Sequence, residues 1–91
     1  MRTVRLIIAG QVQGVGYRFW AERTALRLDL RGWVRNRGDG SVELLATGAE
    51  DRVAALIEAC RRGPRAAMVT DIAVTETEDD GSVGFGMRPT I

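Results

Sequence analysis

Apolar and polar positions along the chain change period several times, and each change marks an element. Residues 3–9, Thr-Val-Arg-Leu-Ile-Ile-Ala, are rich in β-branched side chains and partly alternate, which predicts a strand. From Tyr17 to Leu28 the apolar residues fall at 17, 20, 21, 25 and 28, the spacing of a helix with one buried face. Leu30 to Asn36 predicts a second strand around Trp33, and Ser41 to Thr47 its returning partner. Between them Arg37-Gly38-Asp39-Gly40 reads as a turn, because Asp-Gly supplies the positive φ of a tight hairpin. A second helix is expected from Glu50 to Arg62, with Val53, Leu56, Ile57 and Cys60 on one face and Gly63-Pro64 as its stop signal. Val69 to Thr75 predicts a fourth strand, Glu76 to Ser82 an exposed acidic stretch, and Val83 to Arg88 a short last strand.

Two helical crossovers around a central hairpin make an α+β, ferredoxin-like two-layer sandwich (βαββαβ). An antiparallel sheet carries both helices on one face, with a short fifth strand where residues 83–88 permit one. A chain of 91 residues without a repeat or linker fits a single domain, residues 1–91. The fold hosts many functions and decides none.

Composition narrows the chemistry by what is missing. The chain has no His, which removes a histidine base, a phosphohistidine and a His metal ligand. It has no Lys either: all 13 basic residues are Arg, so P-loop lysine and Schiff-base chemistry are excluded. Codon bias explains an all-Arg set simply, yet each of these cations can fork onto a phosphate. A net charge of +1 offers no global field for nucleic acid or membranes, so anion binding has to be local. Cys60 is the single cysteine. It reads as a buried helix residue and not as a phosphatase nucleophile, since position 66, where that chemistry needs Arg, is Ala. No signal peptide or membrane span is visible, and a cytoplasmic protein is expected.

One segment gathers features that suit an anion. Residues 10–18 read Gly-Gln-Val-Gln-Gly-Val-Gly-Tyr-Arg between a strand and the first turn of a helix. Amides at a helix start lack internal partners and carry partial positive charge, glycines let them converge, and Arg18 adds a full charge. On these grounds alone a phosphate site and a plain glycine-rich turn with a surface Arg stand about level. Likewise Asn36 is a candidate water-orienting amide or a strand-end residue bonding its own turn. Trp20 and Trp33 read as core residues, and of Tyr17 and Phe19 one is expected to pack inward while the other lines the loop.

Val12-Gln13-Gly14-Val15-Gly16-Tyr17-Arg18 is similar to the signature loop of the acylphosphatase family. Gly32-Trp33-Val34-Arg35-Asn36 followed by Asp39-Gly40-Ser41-Val42 resembles that family's second signature, and Gly63-Pro64 with Ala67 and Val69 resembles the segment after its second helix. The resemblance implies hydrolysis of acyl phosphates without cofactor or metal. By it, the phosphate rests on the backbone amides of Gln13, Gly14, Val15, Gly16, Tyr17 and Arg18, and Arg18 and Asn36 are the catalytic residues. It implies a small acyl phosphate as substrate, inorganic phosphate or sulfate as site ligand and, with the small size, a monomer, while the near-neutral charge, few aromatics and lack of an apolar span argue for no nucleic-acid or membrane partner. Three departures stand out. Asp29 stands where members often have Gly, and Asp tolerates the left-handed geometry of such a turn at small cost. Arg37 stands where some have Thr, and Phe85-Gly86-Met87-Arg88-Pro89 is unusually Gly/Pro-broken for an edge strand.

Other readings compete. A ferredoxin-like sheet also binds RNA through exposed aromatics, but aromatics are 5% of this chain. The loop could bind an anion for sensing, without turnover. Asp79-Asp80 could hold a metal, although a solvated acidic turn before Gly81 is the simpler expectation.

Overall fold

A computed structural model describes residues 1–91. The element order is β1 (Arg2–Gln11), α1 (Tyr17–Arg27), β2 (Arg31–Asn36), β3 (Val42–Gly48), α2 (Glu50–Arg62), β4 (Met68–Glu76) and β5 (Phe85–Met87). The five strands form one sheet in the order β4-β1-β3-β2-β5. The four long strands pair antiparallel, as the sequence pattern predicts. The fifth lies parallel to β2, from Gly32 opposite Phe85 to Val34 opposite Met87, so the complete sheet is mixed. Only three residues of the expected Val83–Arg88 strand pair regularly, and Pro89, which has no amide to donate, falls outside.

Alternation along the strands divides the sheet into two faces. Val4, Leu6 and Ile8 of β1, Val34 of β2, and Val42, Leu44 and Ala46 of β3 belong to one core with Tyr17, Ala21 and Ala25 of α1 and Val53, Leu56, Ile57 and Cys60 of α2. Both helices therefore cover the same face. The helix residues in this core recur at intervals of three and four, which is why one side of each helix is apolar. In α2, Glu50 and Asp51 occupy the first turn and Arg61 and Arg62 the last, charges that complement the helix dipole.

The second face carries a charge network. Glu43 lies there, almost fully buried on the central strand β3, and accepts from Arg5 Nε at 2.6 Å and Arg35 Nε at 2.7 Å. Burial alone raises its pKa. The two guanidiniums outweigh that penalty and hold the carboxyl below its ordinary value. Trp33 is buried as expected, but on this face beside Leu45 and outside the helix-side core. The guanidiniums of Arg35 and Arg88 each stand 4.7 Å from its ring centroid, and its indole N–H donates to Asp80. Asp79 and Asp80, the sequence's candidate metal pair, are committed to Arg31, Trp33 and the turn amides of Gly81 and Ser82.

Asp29 takes the left-handed conformation expected of it, with φ 59°, the single non-glycine residue to do so. Asp29→Gly should raise stability by about 0.5–1 kcal/mol, a gain of a few degrees in Tm by calorimetry. Glu43→Gln should cost about 2–3 kcal/mol in urea unfolding, because two partly buried guanidiniums lose their counter-charge. The stability from Glu43 is present above its unfolded value, near 4.5, and is lost as pH falls through the lower folded value. The glutamine variant should accordingly show a shallower acid limb in stability against pH.

Candidate active site

The strand-to-helix loop and the end of β2 meet at one cleft of about 210 Å³, lined by Val12, Gly14, Gly16, Tyr17, Arg18, Phe19, Asn36 and Met87. That volume is below the roughly 300 Å³ at which pockets begin to hold drug-sized ligands, and it suits a small one. The two motifs lie on separate elements, and the crossover through α1 and the register of β2 bring them together.

Two glycines shape the loop. Gly14 has φ 73° and Gly16, the N-cap of α1, has φ 78°, a left-handed geometry that side chains disfavour. The amides of residues 13–16 donate to no other backbone group, and those of the first helical turn have no intrahelical acceptor. Nothing in the chain neutralises this pole. The first turn of α1 holds no acidic residue and instead holds Arg18, a cation where the helix dipole is already positive. None of the ion pairs includes Arg18, which is half-buried and lines the cleft. In α2 the same position is acidic, so the contrast is local to this helix.

Tyr17 sets where α1 begins. Its ring is buried and its hydroxyl donates to the carbonyl of Cys60 at 2.7 Å, in the last turn of α2. Burial is the main cause of a phenol pKa raised well above its usual value. This hydroxyl is therefore spent on structure. Gly63 is required beside it: φ is 65°, and a Cβ there would stand 2.9 Å from the Tyr17 ring. Phe19 points the other way and stays exposed at the cleft, which decides the choice between Tyr17 and Phe19. Trp20 packs edge-to-face on Tyr17 and is half-buried against the core. Burial also pushes the Cys60 thiol up to about 11, which suits a core residue and not a nucleophile.

Asn36 ends β2, with its side chain on the helix side. Its Oδ1 is buried and accepts no hydrogen bond from the chain. A buried acceptor without a partner costs stability, so such an atom marks a place where a donor from water or ligand belongs. The alternative that Asn36 bonds its own turn does not hold. That turn is closed instead by Arg37 N–H to Ser41 O, and by Asp39 accepting from the amide and hydroxyl of Ser41.

The side chains of Gln13 and Val15 do not line the cleft. The Gln13 side chain reaches across to the β2–β3 hairpin, where Nε2 donates to the carbonyl oxygens of Arg37 at 2.8 Å and Ser41 at 2.9 Å. It ties the Arg18 loop to the strand end that carries Asn36. The motif's Val12-Gln13 holds this residue, but only the hairpin's position shows what its amide does. Met87 also lines the cleft, and the Gly/Pro-broken end of the chain carries no local signal for this. The Arg37 side chain turns toward Asp39, 3.9 Å away, and does not enter the cleft.

These features define a ferredoxin-like α+β domain whose cleft gathers a loop of unpaired amides, the Arg18 side chain and a buried, unpartnered side-chain amide oxygen. Comparison with known proteins agrees. The sequence model of the acylphosphatase family matches residues 4–87. An acylphosphatase of Rhodospirillum rubrum is 47% identical over 91 residues, the whole of both chains, and one of Acidiphilium cryptum is 52% identical over 85 residues, 93% of each. The crystal structure of acylphosphatase from Bacillus subtilis superposes with a TM-score of 0.93 at 42% identity, over 97% of this chain and 99% of that one. The chain belongs to the acylphosphatase family, a family of enzymes that hydrolyse acyl phosphates.

Gln13→Ala should lower stability by about 1 kcal/mol and weaken inorganic phosphate binding measured by calorimetry, because the loop loses its tie to the hairpin. Gln13→Glu should be worse in both measurements at neutral pH, since a carboxylate would face two carbonyl oxygens with nothing to donate.

Proposed function

We propose that residues 1–91 act as one domain that hydrolyses the carboxyl–phosphate bond of a small acyl phosphate, with the phosphoryl group on the amides of residues 13–18 and the Arg18 guanidinium. The observation that carries this reading is the pairing, across one cleft, of an unneutralised positive pole with the partnerless Asn36 Oδ1. The first can take the phosphoryl oxygens, and the second can accept from an attacking water.

The chemistry fits the residue types. A carboxylate leaves without strong acid assistance, so the protein's work is to neutralise and orient the phosphoryl oxygens. A guanidinium fork and converging amides serve that need and require no reorganisation during reaction. Asn36 accepts through Oδ1 and donates through Nδ2, which orients a water without changing protonation. No carboxylate, thiol or hydroxyl apart from the committed Tyr17 lines the cleft. The proton of the attacking water therefore passes to an oxygen of the substrate's phosphoryl group. No step calls for a metal or cofactor.

We take the enzyme to work as a cytoplasmic monomer. A lone, buried thiol suits a reducing compartment, and no helix is long and apolar enough to cross a membrane.

Incubating pure protein with acetyl phosphate and a chelator should release inorganic phosphate. Arg18→Gln should fold normally, lose about 10²–10³-fold in kcat/KM and bind inorganic phosphate more weakly. Asn36→Ala should lose a similar factor, mainly in kcat, since it removes the acceptor for water and not the grip on phosphate. Wild-type rates in both variants would refute these roles.

A further inference from the structure

β4 and β5 are the two edges of the sheet, so residues 77–84 have to pass from one edge to the other. They do so on the face that the helices leave open. Arg31 Nη1 donates to the carbonyl of Ser82 at 2.8 Å and its guanidinium pairs with Asp79, while the Trp33 indole N–H donates to Asp80 Oδ2 at 3.0 Å. Arg88 joins the second contact: its guanidinium stands 4.7 Å from the Trp33 ring centroid and 3.8 Å from the same Asp80 oxygen. One carboxylate thus faces a donor on β2 and a cation just after β5. The ladder of β5 itself is short, three residues on an edge with one neighbouring strand. The chain from 84 to 91 nevertheless follows β2 to its end. The Gly32 amide donates to Gly84 O at 2.9 Å, that of Arg88 to Val34 O at 2.9 Å and that of Ile91 to Asn36 O at 3.3 Å, and Ile91 O accepts from the Gly38 amide at 2.7 Å. The backbone of Asn36 therefore has Val42 of β3 on one side and Ile91 on the other.

We propose that Asp80 is a positioning residue for the reaction. By holding Trp33 and Arg88 together it seats residues 84–91 along β2, and that seating fixes the backbone from which the Asn36 amide faces the cleft. The inference rests on the proposed role of Asn36 in orienting the attacking water. An orienting amide acts through geometry alone, and a displacement of about 1 Å can cost on the order of 10²-fold in rate. Asn36 Oδ1 accepts no bond from the chain, so its place is set by the backbone that carries it. One of the two flanks of that backbone is the segment that Asp80 fastens. The phosphate cradle is fastened elsewhere, by Tyr17 to the Cys60 carbonyl and by Gln13 to the hairpin. Loss of Asp80 therefore disturbs the orientation of water and spares the grip on phosphate. Asp79 offers an internal comparison. It belongs to the same turn and has an ion pair of its own, but its partner Arg31 lies at the opposite end of β2 from Asn36, and it makes no hydrogen bond or ion pair with Trp33 or Arg88.

The test reads kcat and KM for acetyl phosphate, inorganic phosphate affinity by calorimetry, and the Asn36 side-chain amide resonances by NMR. Asp80→Ala should lower kcat roughly five- to tenfold, keep KM and phosphate affinity within about twofold of wild type, and shift the Asn36 resonances. Asp80→Asn keeps an acceptor for the indole N–H and should recover part of kcat. Trp33→Phe keeps a ring for Arg88 but loses the indole donor, and should resemble Asp80→Ala. Asp79→Ala should retain wild-type kcat, whatever stability it loses in urea unfolding. Both aspartates lie on an exposed turn, and circular dichroism should show their variants folded. Wild-type kcat or unshifted Asn36 resonances in Asp80→Ala, or an equal loss of kcat in Asp79→Ala, would overturn the positioning role alone. No turnover by the wild type would instead overturn the proposed function, and the resonances would then decide by themselves whether Asp80 sets the place of Asn36.

Discussion

The hydrogen bond from the Tyr17 hydroxyl to the Cys60 carbonyl, made in the interior at 2.7 Å, is the constraint on which the cleft depends. It joins the first turn of α1 to the last turn of α2, and so fixes both the origin and the rotation of α1. With Tyr17 turned inward, residues 18 and 19 have to face outward, because successive helical side chains are about 100° apart. Arg18 and Phe19 owe their place at the opening to this buried phenol. Gly63 keeps the room the ring occupies.

A second tie runs to the sheet. Gln13 spans from the loop to the carbonyls of Arg37 and Ser41, on either side of the hairpin that follows Asn36. The loop is thereby located against both the helical layer and the sheet. Two well-placed polar contacts do what a large interface would do elsewhere. In a small domain with one thin core, where little apolar surface remains to hold a loop still, that is the available route.

Charge is distributed unevenly for the same reason. On the open face of the sheet, Arg5 and Arg35 are neutralised by Glu43, while Arg31 and Arg88 meet the acidic turn at Asp79 and Asp80. Buried or partly buried charges without partners are costly, and these have partners. The start of α1 differs: the amides of residues 13–16 meet no backbone acceptor, and Arg18, half-buried at the cleft, belongs to no ion pair. The protein retains there the electrostatic imbalance that it removes on the sheet.

The element order, the helix faces and the hairpin were legible in the sequence, since these follow from local period and turn chemistry: Ala21 and Ala25, Val53 and Cys60, and Asp39-Gly40 announce their roles to their neighbours. The two motifs, with Arg18 and Asn36, were legible as well, as was the left-handed Asp29. Contacts between residues distant in sequence were not. That β5 runs parallel to β2, that Trp33 is buried under guanidiniums and not beneath helices, that Gln13 holds the hairpin and that Met87 joins Phe19 at one cleft all depend on chain segments dozens of residues apart. Sequence patterns record the period of one element and the residue types a motif requires. Which side chain satisfies a polar group or rims a cleft is decided by packing, because only the folded chain sets the distances over which hydrogen bonds and apolar contacts act.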